Sequence, residues 1–326
     1  MEIQVLDPAR VDEFVAVFRA AHDVDHPQDP AYALRHEALR ILNPTPDEPI
    51  THFMVLEAGR IVAGAHLRVP ELDNTHSVFV EIIVDPDARR RGIARELWDF
   101  LTARALGLGR KLVLFETAIG GAGEAFGRSI NGEVGILDAR RRLVVDTANL
   151  AVAAELKAEA LTHADGYELV SYVGSTPEQW IDGVAYLVGR MSTDAPMDGL
   201  DWQAEAYDAN RIRMQEAATV RQELTVFSTI AVHTATGTVA GFTNIGRAVD
   251  DGTNVHQWNT IVDPDHRGHR LGTLIKIANL EQARQREPGI GAVWTWNAVS
   301  NDPMIRVNEA MGFRLWDHWG EWQVRL

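Results

Sequence analysis

The stretch VDPDARRRGIARELWDFL opens at Val84, and VDPDHRGHRLGTLIKIANL opens at Val262, more than half the chain later. In each, Val-Asp-Pro-Asp leads into clustered arginines, glycine and an apolar-periodic helix. A repeat at that spacing in 326 residues points to a duplicated domain and excludes a short solenoid unit. The chain must then fold as two copies of one plan, each long enough to bury its own core.

The order of elements supports the duplication. The opening MEIQVL reads as a strand, ARVDEFVAVFRAAH and AYALRHEALRIL as amphipathic helices, and HFMVLEA, RIVAGAHLRV and SVFVEIIV as strands. The helix from Gly92 sets Ile93, Leu97, Phe100 and Leu101 on one face. KLVLFETA, a Gly-rich helical segment and EVGILDARRRLVV follow. The second half begins with the strand YELVSYVG. Next comes a helix over STPEQWIDGVAYLVGRM, where Ser175 and Glu178 have capping-box spacing and Pro177 lies in the first turn. Then come a helix over WQAEAYDANRIRMQEAATV, a hairpin turning at Thr236–Gly237, the strand NVHQWNTIV, a helix, the strand AVWTWNA, a helix around Met304 to Ala310 and RLWDHWGEWQVRL. Each half reads β, α, α, β, β, β, α, β, α, β. The expected organisation is an N-terminal domain over 1–146, a linker helix over 147–165 and a C-terminal domain over 166–326.

Composition narrows the chemistry. The net charge of −15 repels nucleic acid and anionic membrane and favours cationic or amine-bearing small molecules. No cysteine is present, so disulfides, thiolate metal sites and cysteine nucleophiles are excluded. Neither a cleavable signal nor a long apolar run appears, which points to the cytoplasm. The HDVDH run, His22 to His26, has paired histidine spacing but reads as a polar helix end before Pro27, and no metal is expected.

A loop opening directly into a helix presents unpaired backbone N–H groups and the positive end of the helix dipole, which suits a phosphate. Glycine lets the backbone come close, and arginines add positive charge that the chain as a whole lacks. On this loop and element order, both halves resemble the GNAT superfamily of acyl-CoA-dependent N-acetyltransferases. The whole chain resembles the tandem GNAT proteins of high-GC bacteria, relatives of mycothiol synthase. The resemblance implies an α/β (α+β) fold of two tandem GNAT-like domains, each a mixed, mostly antiparallel sheet with helices on both faces. It also implies acetyl-CoA (coenzyme A) as cofactor and a small-molecule amine as acceptor, on a monomer or homodimer.

The family loop, Arg/Gln-x-x-Gly-x-Gly/Ala, falls on Arg89, Arg90, Arg91, Gly92, Ile93 and Ala94, a full match. In the second half it falls on Arg267, Gly268, His269, Arg270, Leu271 and Gly272, with Arg270 in place of glycine. Ile83, Val84, Ile261 and Val262 precede the loops, and the resemblance implies that they contact the coenzyme as well. The family base lies six residues before the strand-end hydrophobic residue, which gives His256, an imidazole that titrates near working pH. Its even offset predicts one shared face with Val262. The first half has Val78 there, and Glu81, at an odd offset, should point to the opposite face. The family acid is a tyrosine four residues before Gly-Phe. Before Gly312-Phe313 that place holds Asn308, which can donate to the coenzyme sulfur but cannot deliver a proton. Asn301 matches a pantetheine contact. Asp317 and Glu321 are fallback bases, and Trp258, Trp316, Trp319 and Trp322 form a candidate acceptor floor. These features place catalysis in the second half, with a non-catalytic acyl-CoA-binding protein as the alternative.

Overall fold

The computed structural model describes residues 2–326. The chain forms two compact units. One comprises residues up to Leu137 with Asp198–Gln203 and Trp319–Leu326, the other Asp138–Met197 with Ala204–His318.

In the first unit β1 (Glu2–Val5), β2 (Ile50–Glu57), β3 (Arg60–Arg68), β4 (Ser77–Val84) and β5 (Leu112–Ala118) lie in that order. Neighbours are antiparallel except β4 and β5, which are parallel. Strand parity sorts the side chains. Val78 and Val80 of β4 join Ile93, Leu97 and Leu101 of α3 (Ile93–Gly107). Ile83 joins Phe14 and Phe18 of α1 (Val11–Asp25) and Ile41 of α2 (Leu34–Leu42) in a separate cluster. Apolar burial on both faces is what fixes the sheet between its helices.

The second unit repeats the plan with β7 (Tyr167–Val173), β8 (Thr225–His233), β9 (Val239–Arg247), β10 (Asn254–Val262) and β11 (Ala292–Ala298), in the order β11-β10-β9-β8-β7. Here β10 and β11 are the parallel pair. Helix α8 (Leu271–Arg286) packs through Leu274, Ile275, Ile277 and Leu280, and α6 (Ile181–Asp194) through Val184 and Leu187. The helix read as a linker, α5 (Thr147–Leu161), is part of this unit: Ala153 packs with Ile277, and Ala160 with Leu271.

The two copies have exchanged their last strands. From β6 (Glu133–Val144), Asp138–Val144 pairs antiparallel with β11. From β12 (Arg314–Arg325), Trp319–Arg325 pairs antiparallel with β5. The compact units therefore cut across the halves 1–146 and 166–326.

Two helix starts differ from expectation. Helix α7 (Ala209–Arg221) begins well after Trp202, because Asp208 caps it by accepting from the Arg211 N–H at 2.8 Å. The chain before it forms no helix, and the Gln203 N–H donates to Asn74 Oδ1 at 2.7 Å. Ser175 and Glu178 form no capping box. The Thr176 N–H donates instead to Glu216 at 2.6 Å, Glu178 pairs with Arg213, and α6 starts only at Ile181. Long-range partners outcompete a local cap here. Among the described residues no helix is long and apolar enough to cross a membrane.

Candidate active site

The parallel pairs are short. β4 and β5 pair only over Ser77–Phe79 with Leu112–Leu114, and β10 and β11 only over Asn254–His256 with Ala292–Trp294. Beyond these points the strands part, leaving backbone polar groups beside an opening. In each half the arginine loop follows directly.

The openings differ by one residue. β4 runs in unbroken register against β3 from Phe79 to Val84, whereas β10 carries a bulge against β9 between Gln257 and Thr260. Side chains hold the bulge. Gln257 Nε2 donates to Thr243 Oγ1 at 3.0 Å, Asn244 O at 2.7 Å and Asn259 O at 3.0 Å, and the Asn259 N–H donates to Asn244 Oδ1 at 2.9 Å. An inserted residue inverts strand parity. His256 pairs with Gly246 and Val262 with Gly241, an odd separation on β9, so His256 and Val262 face opposite sides. The expectation of one shared face fails for that reason. Val262 packs toward α8, while His256 shares its side with Ile261, which packs against α6.

His256 is built into a polar setting. Its Nε2 meets Asp251 Oδ2 at 2.7 Å, with the imidazole about one-third exposed and the carboxylate nearly buried. Asp251 is fixed by its own turn, its carbonyl accepting from both Asn254 N and Nδ2 at 3.0 Å. Asn254 Oδ1 accepts from Trp294 Nε1 at 2.9 Å. The His256 ring stacks on Trp296 at 6.0 Å between centroids. Trp258, in the bulge, lies over Gly246, where any side chain would collide with the indole. Such a pair fixes the imidazole tautomer and leaves the other ring nitrogen as the available acceptor. Asp251 was not visible in the sequence because its turn gives no motif.

Other candidates are engaged elsewhere. Asp317 pairs with Arg140, whose Nε donates at 2.8 Å. Trp319 and Trp322 belong to the first unit, stacked on His26 and Phe115, whereas Trp258 and Trp316 belong to the second. Asn301 Oδ1 caps α9 (Asp302–Ala310), accepting from Met304 N at 3.3 Å. Asn308 is fully buried. Its Oδ1 accepts from Lys276 Nζ at 2.8 Å and its Nδ2 donates to Asn297 Oδ1 at 2.6 Å. With no exposed surface, Asn308 meets no coenzyme sulfur in this arrangement. Its work is to solvate Lys276, a buried lysine whose pKa desolvation lowers to about 7.

The two loops share a backbone shape. Left-handed residues fall at the same two positions, Arg90 (φ 63°) and Gly92 (φ 85°) in one, Gly268 (φ 88°) and Arg270 (φ 53°) in the other. Glycine and arginine have traded places. The first arginine is a latch in both. Arg89 donates to Val84 O at 3.2 Å and forks onto Asp25 at the end of α1, and Arg267 donates to Val262 O at 3.3 Å and pairs with Asp194 at the end of α6. Asp25, from the HDVDH run, thus serves the loop. Arg91 pairs with Glu57 and Arg270 with Glu159. His269 Nδ1 lies 3.1 Å from His163 O, and His266 Nδ1 lies 2.8 Å from the Tyr167 hydroxyl. The side chains of Ile83 and Ile261 are drawn into core clusters, with Val84 and Val262 packed against others, so these residues offer the opening only backbone.

Residues 11–120 and 193–313 match the acetyltransferase (GNAT) family. The chain belongs to the GNAT acetyltransferase family. It is 26% identical over 327 residues to the mycothiol acetyltransferase of Thermobifida fusca, covering 96% of this chain and 94% of that one. The mycothiol acetyltransferase of Acidothermus cellulolyticus is 28% identical over 272 residues, 80% of this chain and 74% of that relative. Among solved structures, a tandem GNAT protein from the clavulanic acid biosynthesis pathway superposes with a TM-score of 0.82 at 25% identity, over 99% and 98% of the two chains.

Both GNAT loops fit the family's co-substrate, acetyl-CoA. Helices α3 and α8 start at Gly92 and Arg270 without a side-chain cap, so their first N–H groups are free for pyrophosphate oxygens. A Cβ at Gly92 or Gly268 would meet nothing within 4 Å, so the space before each loop is open. Gly272 and Ala94 keep the first turn small. Arg270 occupies a left-handed conformation that costs a non-glycine residue roughly 1 kcal/mol. Arg270→Gly should therefore stabilise the protein by about 1 kcal/mol, seen as a higher denaturant midpoint at unchanged slope.

Proposed function

We propose that this GNAT protein moves the acetyl group of acetyl-CoA to a primary amine of a small molecule by direct attack in a ternary complex, with the chemistry in the second half. The observation that carries the reading is the His256–Asp251 pair at the point where β10 and β11 part. An amine attacks only as its neutral form, so a base must take its proton near neutral pH, and His256 is placed for that. Asp251 holds the imidazole and compensates the charge it gains. Backbone N–H groups of β10 beyond His256, where it parts from β11, serve as donors for the thioester carbonyl. The N–C bond forms, the C–S bond breaks, and the thiolate is protonated by water, since Asn308 is buried and carries no transferable proton. A small-molecule acceptor agrees with the mycothiol acetyltransferases among the relatives and with the acidic chain.

The test is release of coenzyme A thiol from acetyl-CoA across a panel of small primary amines. Amine-dependent release supports the reading; binding of acetyl-CoA without release under any amine leaves a non-catalytic acyl-CoA-binding protein. Calorimetric titration locates the coenzyme. Arg267→Glu sets two carboxylates together at Asp194, unlatches the second loop and should weaken acetyl-CoA binding there about 10-fold or more. Arg89→Glu does the same to the first loop through Asp25.

A further inference from the structure

The sheet face that carries His256 also holds an arginine that the transfer mechanism leaves unused. Across β6, β11 and β10 the register sets Arg142, Trp294 and His256 in one row, and the next pair on that face is Arg140 with Trp296. Direct partners in a ladder point to one side, so all five side chains share the side of His256. The stacking of His256 on Trp296 agrees. Neighbouring strands lie about 4.8 Å apart, which puts the backbones of Arg142 and His256 roughly 10 Å from each other.

The two arginines of this face differ in their partners. Arg140 is buried and neutralised, its Nε donating to Asp317 Oδ1 at 2.8 Å. Arg142 is only partly buried, and among the described residues neither a carboxylate nor a hydrogen-bond acceptor meets its side chain. Its Nε is nevertheless shut off from solvent. Two indoles hold the guanidinium in place. Its central carbon lies 5.4 Å from the Trp294 ring and 5.7 Å from the Trp316 ring, and the two rings meet edge-on at 5.2 Å. Aromatic faces steady a cation but accept none of the hydrogen bonds that its planar fork of donors can make. Buried donors left unpaired are costly, and the fork matches the two oxygens of an oxyanion. In a chain of net charge −15, a fixed and uncompensated arginine is a local exception to the repulsion of anions.

We infer that Arg142 is a specificity-determining residue of the acceptor site, and that the acceptor is an amine that also carries an oxyanion, a carboxylate or a phosphate-type group. This rests on the transfer reading, with the amine at His256. The oxyanion takes the Arg142 fork and the amine reaches the imidazole at the other end of the row. The body of the molecule lies along the partly exposed indoles of Trp296 and Trp316. The acidic chain draws ammonium ions of every kind, and Arg142 chooses among them.

The test is thiol release from acetyl-CoA with matched acceptors: phenylalanine against phenethylamine, and β-alanine and 2-aminoethylphosphonate against ethylamine. In the wild-type chain the oxyanion-bearing member should have the higher kcat/KM by about 10- to 100-fold, expressed in KM, as expected of one charge-assisted contact. Arg142→Met should bring that ratio to about one, and Arg142→Lys should keep part of it. The arms with carboxylate and phosphonate tell which oxyanion the fork prefers. Pairs treated alike by the wild-type chain overturn the inference. So does a ratio that survives Arg142→Met, because equal loss in both members assigns the arginine to packing alone. Calorimetric titration of the same acceptors with coenzyme A present separates this from a failure of transfer. Binding that Arg142→Met abolishes, without thiol release, removes the transfer reading and keeps the oxyanion subsite. Absence of both binding and release overturns the subsite.

Discussion

Replacing His256 with alanine should lower kcat/KM for amine acetylation by about 100- to 10,000-fold, the usual contribution of a positioned base. The loss should fall on kcat, because the imidazole acts on the proton released in the transition state and adds little to ground-state binding. Asp251→Asn keeps the hydrogen bond but removes the charge that compensates the imidazolium, so it should retain more activity than His256→Ala and shift the pH profile. Steady-state thiol release at several pH values reads both. Wild-type kinetics in His256→Ala would move the chemistry away from β10, and the parity of the bulge would then have no catalytic meaning.

The second large effect is on stability. Lys276 is buried with its amine on Asn308 and above the Phe313 ring, and its pKa is about 7 against an ordinary 10.5. Between those values the unfolded chain binds the proton and the folded chain does not. Stability therefore rises with pH across that window, by about 1.4 kcal/mol per unit. Below pH 7 both states are protonated and the full cost remains, on the order of 3–5 kcal/mol. Lys276→Met removes this cost but leaves Asn308 Oδ1 without its donor, which costs about 1–3 kcal/mol. The variant should thus be more stable than wild type at pH 6, less stable near pH 10, and without the wild-type rise between. Urea unfolding at three pH values checks the crossing. A parallel pH dependence of the two proteins would mean that Lys276 is charged and solvated at neutral pH.

The plan of the fold was legible because its signals are periodic and duplicated. Apolar spacing at Ile93, Leu97 and Leu101 gave α3, alternation in SVFVEIIV gave β4, and the loops stood out because they occur twice. Three things lay beyond such reading. The bulge at Gln257–Thr260 is made by side-chain hydrogen bonds from Gln257 and Asn244, which no local pattern announces, and it reversed the expected face of His256. The spacing before Gly312-Phe313 leads one to expect Asn308 at the place of the family tyrosine, but what it touches depends on Lys276, 32 residues away in sequence. Parity sets Glu81 on the face opposite Val78 and Val80, where its cross-strand partner is His66, and no local pattern announces that partner.

The strand exchange bears on how the protein is made. β5 leaves the ribosome long before Trp319–Arg325 exists, and until then one edge of its sheet is a row of unpaired amides and carbonyls, the kind of edge that invites aggregation. The early half must wait, compact but unsealed, for the last segment to be translated. A gene split between α5 and β7 would give two fragments each lacking a sheet edge, and only their co-expression would restore both.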